Sequence, residues 1–346
     1  MQTEMIRIFD EAFRYIGICD DYSYLNYKKC FSEAGSFVMR VVFTQENYAL
    51  YSSCAYLCCP DGQCFAADAL YSDGEEITVK GRDVLALFDR AVLSEAQMLT
   101  GRPEEILCTL AASGAAVLPL PLVTETEGAG ETVTYDALPG SLYGVLRAVT
   151  AAFGWGMRMC YDFSSGALVF SPYAEVDRTA AQREREPLIL GRARENLAEE
   201  YYAADRSDYR NGAVVGGENA AGEAVTVTVE APEGEPPRYL YYSAKSLRAK
   251  LYATEEEFLA ALRRVGENAL ALYGPRLTYT AVLNPHGNEA VSPGDRATIG
   301  ALWSAEVFDA VITSVETVYD RGDRQQRLVA GAILPTMTEV LGRKNI

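Results

Sequence analysis

Apolar and polar residues alternate with period two through much of the first ninety positions. "MIRIFD", "YIGICDDY" and "GSFVMRVVF" (Gly35 to Phe43) each read as a strand, the last rich in β-branched and aromatic residues. "YALYSSCAYLCC" and "CFAADALYS" flank Pro60-Asp61-Gly62 as a hairpin. A tight turn at Asp73-Gly74 leads into a further strand, "ITVKG". The period then changes. In "GRDVLALFDRAVL", Val84, Leu85, Phe88 and Val92 fall on one helical face, and Asp83 stands where an N-cap accepts from the first-turn amides. The spacing predicts an amphipathic helix that closes this unit, with Arg82 pairing at its corner.

Helical spacing dominates the middle of the chain. "TGRPEEILCTLAASG" places Pro103 in a first turn, acids behind it and Gly114 past its end. "SLYGVLRAVTAAFG" has Ser141 as N-cap, apolar residues at Leu142, Val145, Leu146, Val149 and Phe153, and Gly154 as the stop. "WGMRMCYDFSSGALVFSPY" follows as a hairpin turned at Ser165-Gly166. The charged, apolar-poor run Asp177 to Pro187 reads as a surface connection. Strand pattern returns near Tyr209 to Val215 and in "AVTVTVE". A capping box at Thr254 and Glu257 opens one long helix over 254–273, with Phe258, Leu262, Val265, Ala269 and Leu272 on a single face. "LTYTAVLNP", "RATIGALW" and a hairpin around Arg321-Gly322-Asp323 end the chain as β. The expected class is therefore α+β, predominantly β. Three parts are expected: 1–95 with its closing helix, an α+β module over 96–186, and a β-rich 187–346, with the possibility of discontinuous domains left open.

Composition changes this picture in one respect. With 346 residues, 49% hydrophobic and 23% charged, the chain can bury a real core. Its formal net charge of −17 repels phosphate backbones and anionic lipid. Sequence-specific nucleic-acid binding is not expected, although an acidic wall would let DNA pass through a channel without sticking. No apolar run approaches the roughly 18 residues of a membrane helix, and the N-terminus lacks a hydrophobic signal core. The chain is expected to be made in the cytosol with reduced thiols.

The search for chemistry returns little. Of eight cysteines, Cys54, Cys58, Cys59 and Cys64 cluster, but their spacing is irregular and the single histidine, His286, is far away. Buried free thiols are the expectation, with no metal and no cofactor. There is no G-x-S-x-G, no phosphate-binding loop and no dinucleotide fingerprint. His286 sits in a turn composition, "LNPHGNE", unsuited to a triad. Carboxylate pairs such as Asp20–Asp21 and Glu75–Glu76 are expected among 48 acids, and adjacent residues on a strand point to opposite faces. A wall hydrolase would have to draw on Asp136, Asp162, Glu175 and Asp177. The 22 tyrosines, with doublets at Tyr201–Tyr202 and Tyr241–Tyr242, suit protein interfaces, ordinary strands or a carbohydrate-binding surface. No catalytic residue is assigned.

The order of "GSFVMRVVF", "ITVKGRDVLALFDRAVL" and "TGRPEEILCTL" resembles the tail-tip and baseplate hub proteins of phages and prophages of Gram-positive hosts, the siphovirus tail hub type. Gly81, Arg82 and Asp83 match its strand-to-helix corner. "DYRNGAVVGGENAAGE", with Tyr209, Asn211 and Val214, resembles a later strand and turn of the family. "AVSPGDRATI" resembles its C-terminal strand entry through Gly294 and Asp295. The resemblance implies two tube-like β-barrel domains with a helix-containing insertion, and three copies closing a pseudo-sixfold ring on the tail tube. It implies a structural role without enzymatic activity, in the virion, assembled in the host cytoplasm. Implied partners are a homotrimer, the tail tube and tape-measure proteins and spike or fibre proteins, with DNA only passing through. Many members continue into a wall-hydrolase or receptor-binding region. Here the sequence stops at "TMTEVLGRKNI", and the expectation is that another chain would supply the spike or fibre.

Overall fold

A computed structural model describes residues 4–284, 290–300 and 307–331. His286 and the C-terminal residues 332–346 lie outside the described residues. The chain is α+β and predominantly β. Its framework is a curled 14-stranded sheet. Its path starts at Tyr15–Cys19 and runs through Ile6–Phe9, Tyr56–Cys58, Cys64–Ser72, Glu76–Asp83, Ser36–Val42 and Tyr24–Cys30. It then crosses to Val307–Asp320, Asp323–Gly331, Arg276–Leu283 and Leu197–Asp205. The crossing is the antiparallel pair of Tyr24–Cys30 with Val307–Asp320, in register from Asp320↔Tyr24 to Ser314↔Cys30. One sheet is thereby built from both ends of the chain.

Alternation explains which face of each half is buried. In Ser36–Val42, Phe37, Met39 and Val41 point inward while Ser36, Arg40 and Val42 point out. Their side chains pack with Ile6, Ile8, Leu25, Leu57 and Phe65. The C-terminal half buries Leu190, Tyr279, Ile299, Ile312 and Leu328 in a second cluster.

Among the described residues four α-helices lie off this sheet: α1 (Gln45–Ser52), α2 (Pro103–Ser113), α3 (Leu142–Phe153) and α4 (Glu255–Ala271). Ser141 Oγ accepts from the Gly144 N–H to start α3, and Gly154 ends it at φ 68°, a left-handed conformation glycine adopts at no steric cost. Thr254 caps α4 through the Glu257 N–H, while Glu257 accepts from the Ala253 N–H. The helices α2 and α3 and the hairpin Trp155–Asp162/Ala167–Ala174 share a cluster with Phe9, Val84, Leu85 and Phe88. That core therefore reaches across position 95. The helix α4 covers a small mixed sheet of Ala224–Val229, Gly212–Glu218 and Tyr239–Arg248.

Several local expectations are corrected. The segment after Asp83 is not an amphipathic α-helix but a 3-10 helix, Val84–Arg90, followed by the short strand Val92–Leu93 paired with Gly140–Ser141. Val84 through Phe88 are all buried, so the segment threads through the core instead of presenting one face, and Val92 is exposed. "YALYS" belongs to α1 instead of a strand. Thr44 caps α1, and only Tyr51 of the helix is buried, so no apolar stripe marked it. The strands Tyr24–Cys30, Leu197–Asp205 and Tyr239–Arg248 carry too many exposed or charged positions to read as strands from pattern alone.

Cys58 and Cys64 form a disulfide, which corrects the expectation of free thiols throughout. They are cross-strand partners in the hairpin, with Cα atoms 4.1 Å apart. The opposed geometry of an antiparallel pair brings their sulfurs together. The remaining six cysteines are free. Burial pushes the Cys30 and Cys54 thiols up to about 12, so they are protonated and poor nucleophiles.

Candidate assembly surface

The corner at Gly81–Asp83 ends a strand whose neighbour is bulged. The register slips between Ala67 and Ala69 opposite Gly81, and a Cβ at Gly81 would run into the Ala66 carbonyl. Arg82 reaches outward, its Nε donating to Asp68 Oδ2 at 2.9 Å. Asp83 turns inward. Its Oδ1 accepts from the Leu85 N–H at 2.8 Å and its Oδ2 from Gln63 Nε2 at 3.0 Å. Burial raises the Asp83 carboxyl to about 6, against the lowering effect of those two donors.

Gly294 and Asp295 hold a second junction. Gly294 adopts φ 96°, and its backbone donates to Ile312 O and accepts from the Val176 N–H. Asp295 Oδ2 accepts from Ser292 N–H and Arg178 Nη1, both at 2.9 Å. The same Arg178 Nη1 donates to Ala290 O at 2.7 Å. The charged connection after Asp177 is thus tied down at its start.

The four acids that a hydrolase would need are each engaged locally, and only Glu175 and Asp177 have a neighbour in common, Arg296. Asp136 accepts from Tyr252 Oη at 2.6 Å and from Arg264 Nε at 2.8 Å. Asp162 sits at a hairpin tip, where the Ser165 and Ser164 donors hold its carboxyl at about 2. Glu175 pairs with Arg296, and Asp177 accepts from the Thr179 N–H. Among the described residues no cluster of His, Cys, Asp or Glu fits a metal ion. No helix among them is long and apolar enough to cross a membrane.

What the fold leaves open is the sheet itself. Its path has two ends. Tyr15–Cys19 pairs only with Ile6–Phe9, and Leu197–Asp205 only with Arg276–Leu283, among the described residues. Each end strand presents one row of backbone N–H and C=O groups without a neighbouring strand. Neither strand contains lysine or proline, although Leu197–Asp205 carries Glu199, Glu200 and Asp205 and is irregular after Leu197. Exposed apolar side chains mark both, with Ile18 at 45% and Tyr201 at 63%. The tyrosine doublets divide as strand geometry demands. Tyr201 and Tyr241 face out, whereas Tyr202 packs edge-on against Phe308 and Tyr242 joins the cluster under α4. Sequence reading did not find these edges, because only strand pairing defines an edge.

The comparisons with known proteins agree with this architecture. No curated protein matches the chain. Among solved structures, the tail protein from Neisseria meningitidis MC58 is similar over 95% of this chain and 96% of its own, with a TM-score of 0.57 and 15% identity. Prophage tail protein gp18 from Listeria monocytogenes EGD-e is similar over 99% and 98%, with a TM-score of 0.55 and 13% identity. The prophage MuSo2 43 kDa tail protein from Shewanella oneidensis is similar over 95% and 97%, with a TM-score of 0.52 and 10% identity. At such identities the likeness is one of fold. The model of the Siphovirus ReqiPepy6 Gp37-like protein family matches residues 5–332, and the chain belongs to that family of siphovirus tail proteins.

Proposed function

We propose that this chain is the hub of a phage tail tip, a structural virion component whose copies close a ring joining the tail tube to distal spike or fibre proteins. One observation carries the reading. The large sheet stays open, with an end strand at each end of its path that has no second partner strand among the described residues. Copies laid edge to edge would satisfy both rows of backbone groups and cover Ile18 and Tyr201, with no lysine or proline to oppose it. In this reading the N-terminal and C-terminal parts of the sheet act as two tube-like units. They are joined through Tyr24–Cys30 and Val307–Asp320, and the α2–α3 module decorates the outside. Three such copies would supply six tube-like units, matching a hexameric tube. The net charge of −17 suits a lumen through which DNA and a tape-measure protein must slide.

Native mass against concentration, with negative-stain images, tests the proposal. A threefold ring with a central hole is the expected result. No self-association at any concentration, together with no binding to a tail tube protein, would overturn it. Zymography against host cell walls is expected to show no clearing band.

A further inference from the structure

A cleft of about 340 Å³ opens where the first half of the sheet meets the hairpin Trp155–Asp162/Ala167–Ala174. Its deepest lining is Gln63, Asp83, Leu85, Met157 and Met159, all buried. Besides Asp83, the charged and titratable groups around it are Lys29, Cys30, Glu33, Asp61, Arg158, Cys160 and Tyr173. Most of these charges are already matched. Lys29 pairs with Asp61, Glu33 with Arg147, and Arg158 lies 5.4 Å over the Tyr173 ring.

Two groups at the bottom are not matched. Asp83 accepts from Leu85 and Gln63 and feels the nearby Lys29 charge, but it makes no ion pair among the described residues. Gln63, only 8% exposed, spends its Nε2 on Asp83, and its Oε1 has no hydrogen-bond partner. The Gln63 amide cannot turn over to satisfy Oε1 while Asp83 is ionised, because an ionised carboxylate has no proton to donate. A buried acceptor without a donor beside an unpaired buried carboxylate defines what is missing, a nitrogen group carrying both protons and positive charge. Leu85, Met157 and Met159 supply apolar contact that a bare ion would not use and the methylene stem of a basic side chain would.

We propose that this cleft receives a guanidinium or ammonium group, borne on an arginine or lysine side chain of a neighbouring protein chain. The incoming head donates to Gln63 Oε1 and pairs with Asp83. Its alkyl stem lies along the leucine and methionine walls.

The proposal has a pH signature. Below about 6 Asp83 takes up a proton. It can then donate to a turned Gln63 amide, and the cleft loses the charge and the free acceptor that would hold a cation. Binding a cation must expel that proton, so affinity falls as pH falls through about 6 and is flat above it.

The full chain, titrated with Nα-acetyl-arginine amide and with its uncharged isostere Nα-acetyl-citrulline amide, tests this by NMR or calorimetry. Saturable arginine binding at pH 7.5 is expected, at least about tenfold tighter than citrulline, weakening about tenfold per pH unit below about 6. Asp83→Asn keeps an oxygen for the Leu85 N–H and supplies an amide donor to Gln63 Oε1. It is expected to fold normally and lose arginine binding at every pH. Gln63→Met, a second variant, is expected to fold and to weaken binding several-fold. No saturable binding at pH 7.5, equal binding of citrulline, or binding unchanged in Asp83→Asn would each overturn the proposal. An alanine-flanked pentapeptide with a central arginine tests the source. Binding at least as tight as the free amide supports a chain-borne side chain, and exclusion of the peptide overturns that assignment.

Discussion

Arg264 of α4 donates through Nε to Asp136 Oδ2 at 2.8 Å, across 128 positions of sequence. The Asp136 side chain is fully buried, and Tyr252 Oη closes on its other oxygen. This contact fastens the small α4 sheet to the strand Val133–Ala137. One of the four acids that a hydrolytic reading would draw on is therefore a fastener between two modules.

Removing the cation is expected to leave that carboxylate buried with Tyr252 as its main donor. Arg264→Ala is expected to cost about 2–3 kcal/mol, somewhat below the usual loss for breaking a buried pair, because Arg264 itself is 33% exposed. Chemical denaturation measures it. A double-mutant cycle with Asp136→Asn is expected to show at least about 1 kcal/mol of coupling. Additive effects would mean that the two side chains do not act together.

Edge strands give a second prediction. Tyr201→Lys and Ile18→Lys place a charge at positions that the monomer already exposes, so each is expected to change monomer stability by less than about 0.5 kcal/mol. Self-association is expected to weaken by tenfold or more, because lysine on an edge opposes strand addition. Sedimentation at several concentrations reads this directly. Unchanged association in both variants would show that these edges do not carry it.

Stability should depend on pH through Asp83. Its folded-state carboxyl lies at about 6, above its ordinary value of 3.8. The folded protein therefore takes up this proton before the unfolded chain does. The contribution is fully present below about 4 and is lost as pH rises through about 6, amounting to about 3 kcal/mol. Comparing wild type with Asp83→Asn between pH 4 and 7.5 isolates the group. The variant's stability profile is expected to lack this component, and parallel profiles would refute the assignment.

The Cys58–Cys64 disulfide closes a short loop and is expected to contribute about 2 kcal/mol through the unfolded chain. Alkylation of the unreduced, denatured protein should label six thiols, the number left free. Prior reduction should raise the mass shift to all eight cysteines. Eight labelled without reduction would show the pair to be open.

Local chemistry made some of this protein readable from its sequence. Ser141 and Gly154 bound α3, and Thr254 opens α4, because a cap is satisfied within three or four residues of itself. The turn at Pro60-Asp61-Gly62 likewise joins two strands of one hairpin, and Cys58 faces Cys64 across it as a consequence of that register. Five short motifs, from "GSFVMRVVF" through the Gly81–Asp83 corner to the entry at Gly294–Asp295, pointed to the family by their order.

Tertiary structure decided the rest. No pattern within Tyr24–Cys30 names Val307–Asp320 as its neighbour, since backbone hydrogen bonds between distant strands carry no residue code. The two free edges follow from that pairing and could not be seen before it. The segment after Asp83 had helical spacing, yet it became a 3-10 thread because core surrounds Val84 through Phe88 on every side. Asp83 and Gln63, 20 positions apart, acquire their unmet charge and unmet oxygen only when the fold withdraws water from both. Spacing along the chain set the elements, and exclusion of solvent set what their polar groups still need.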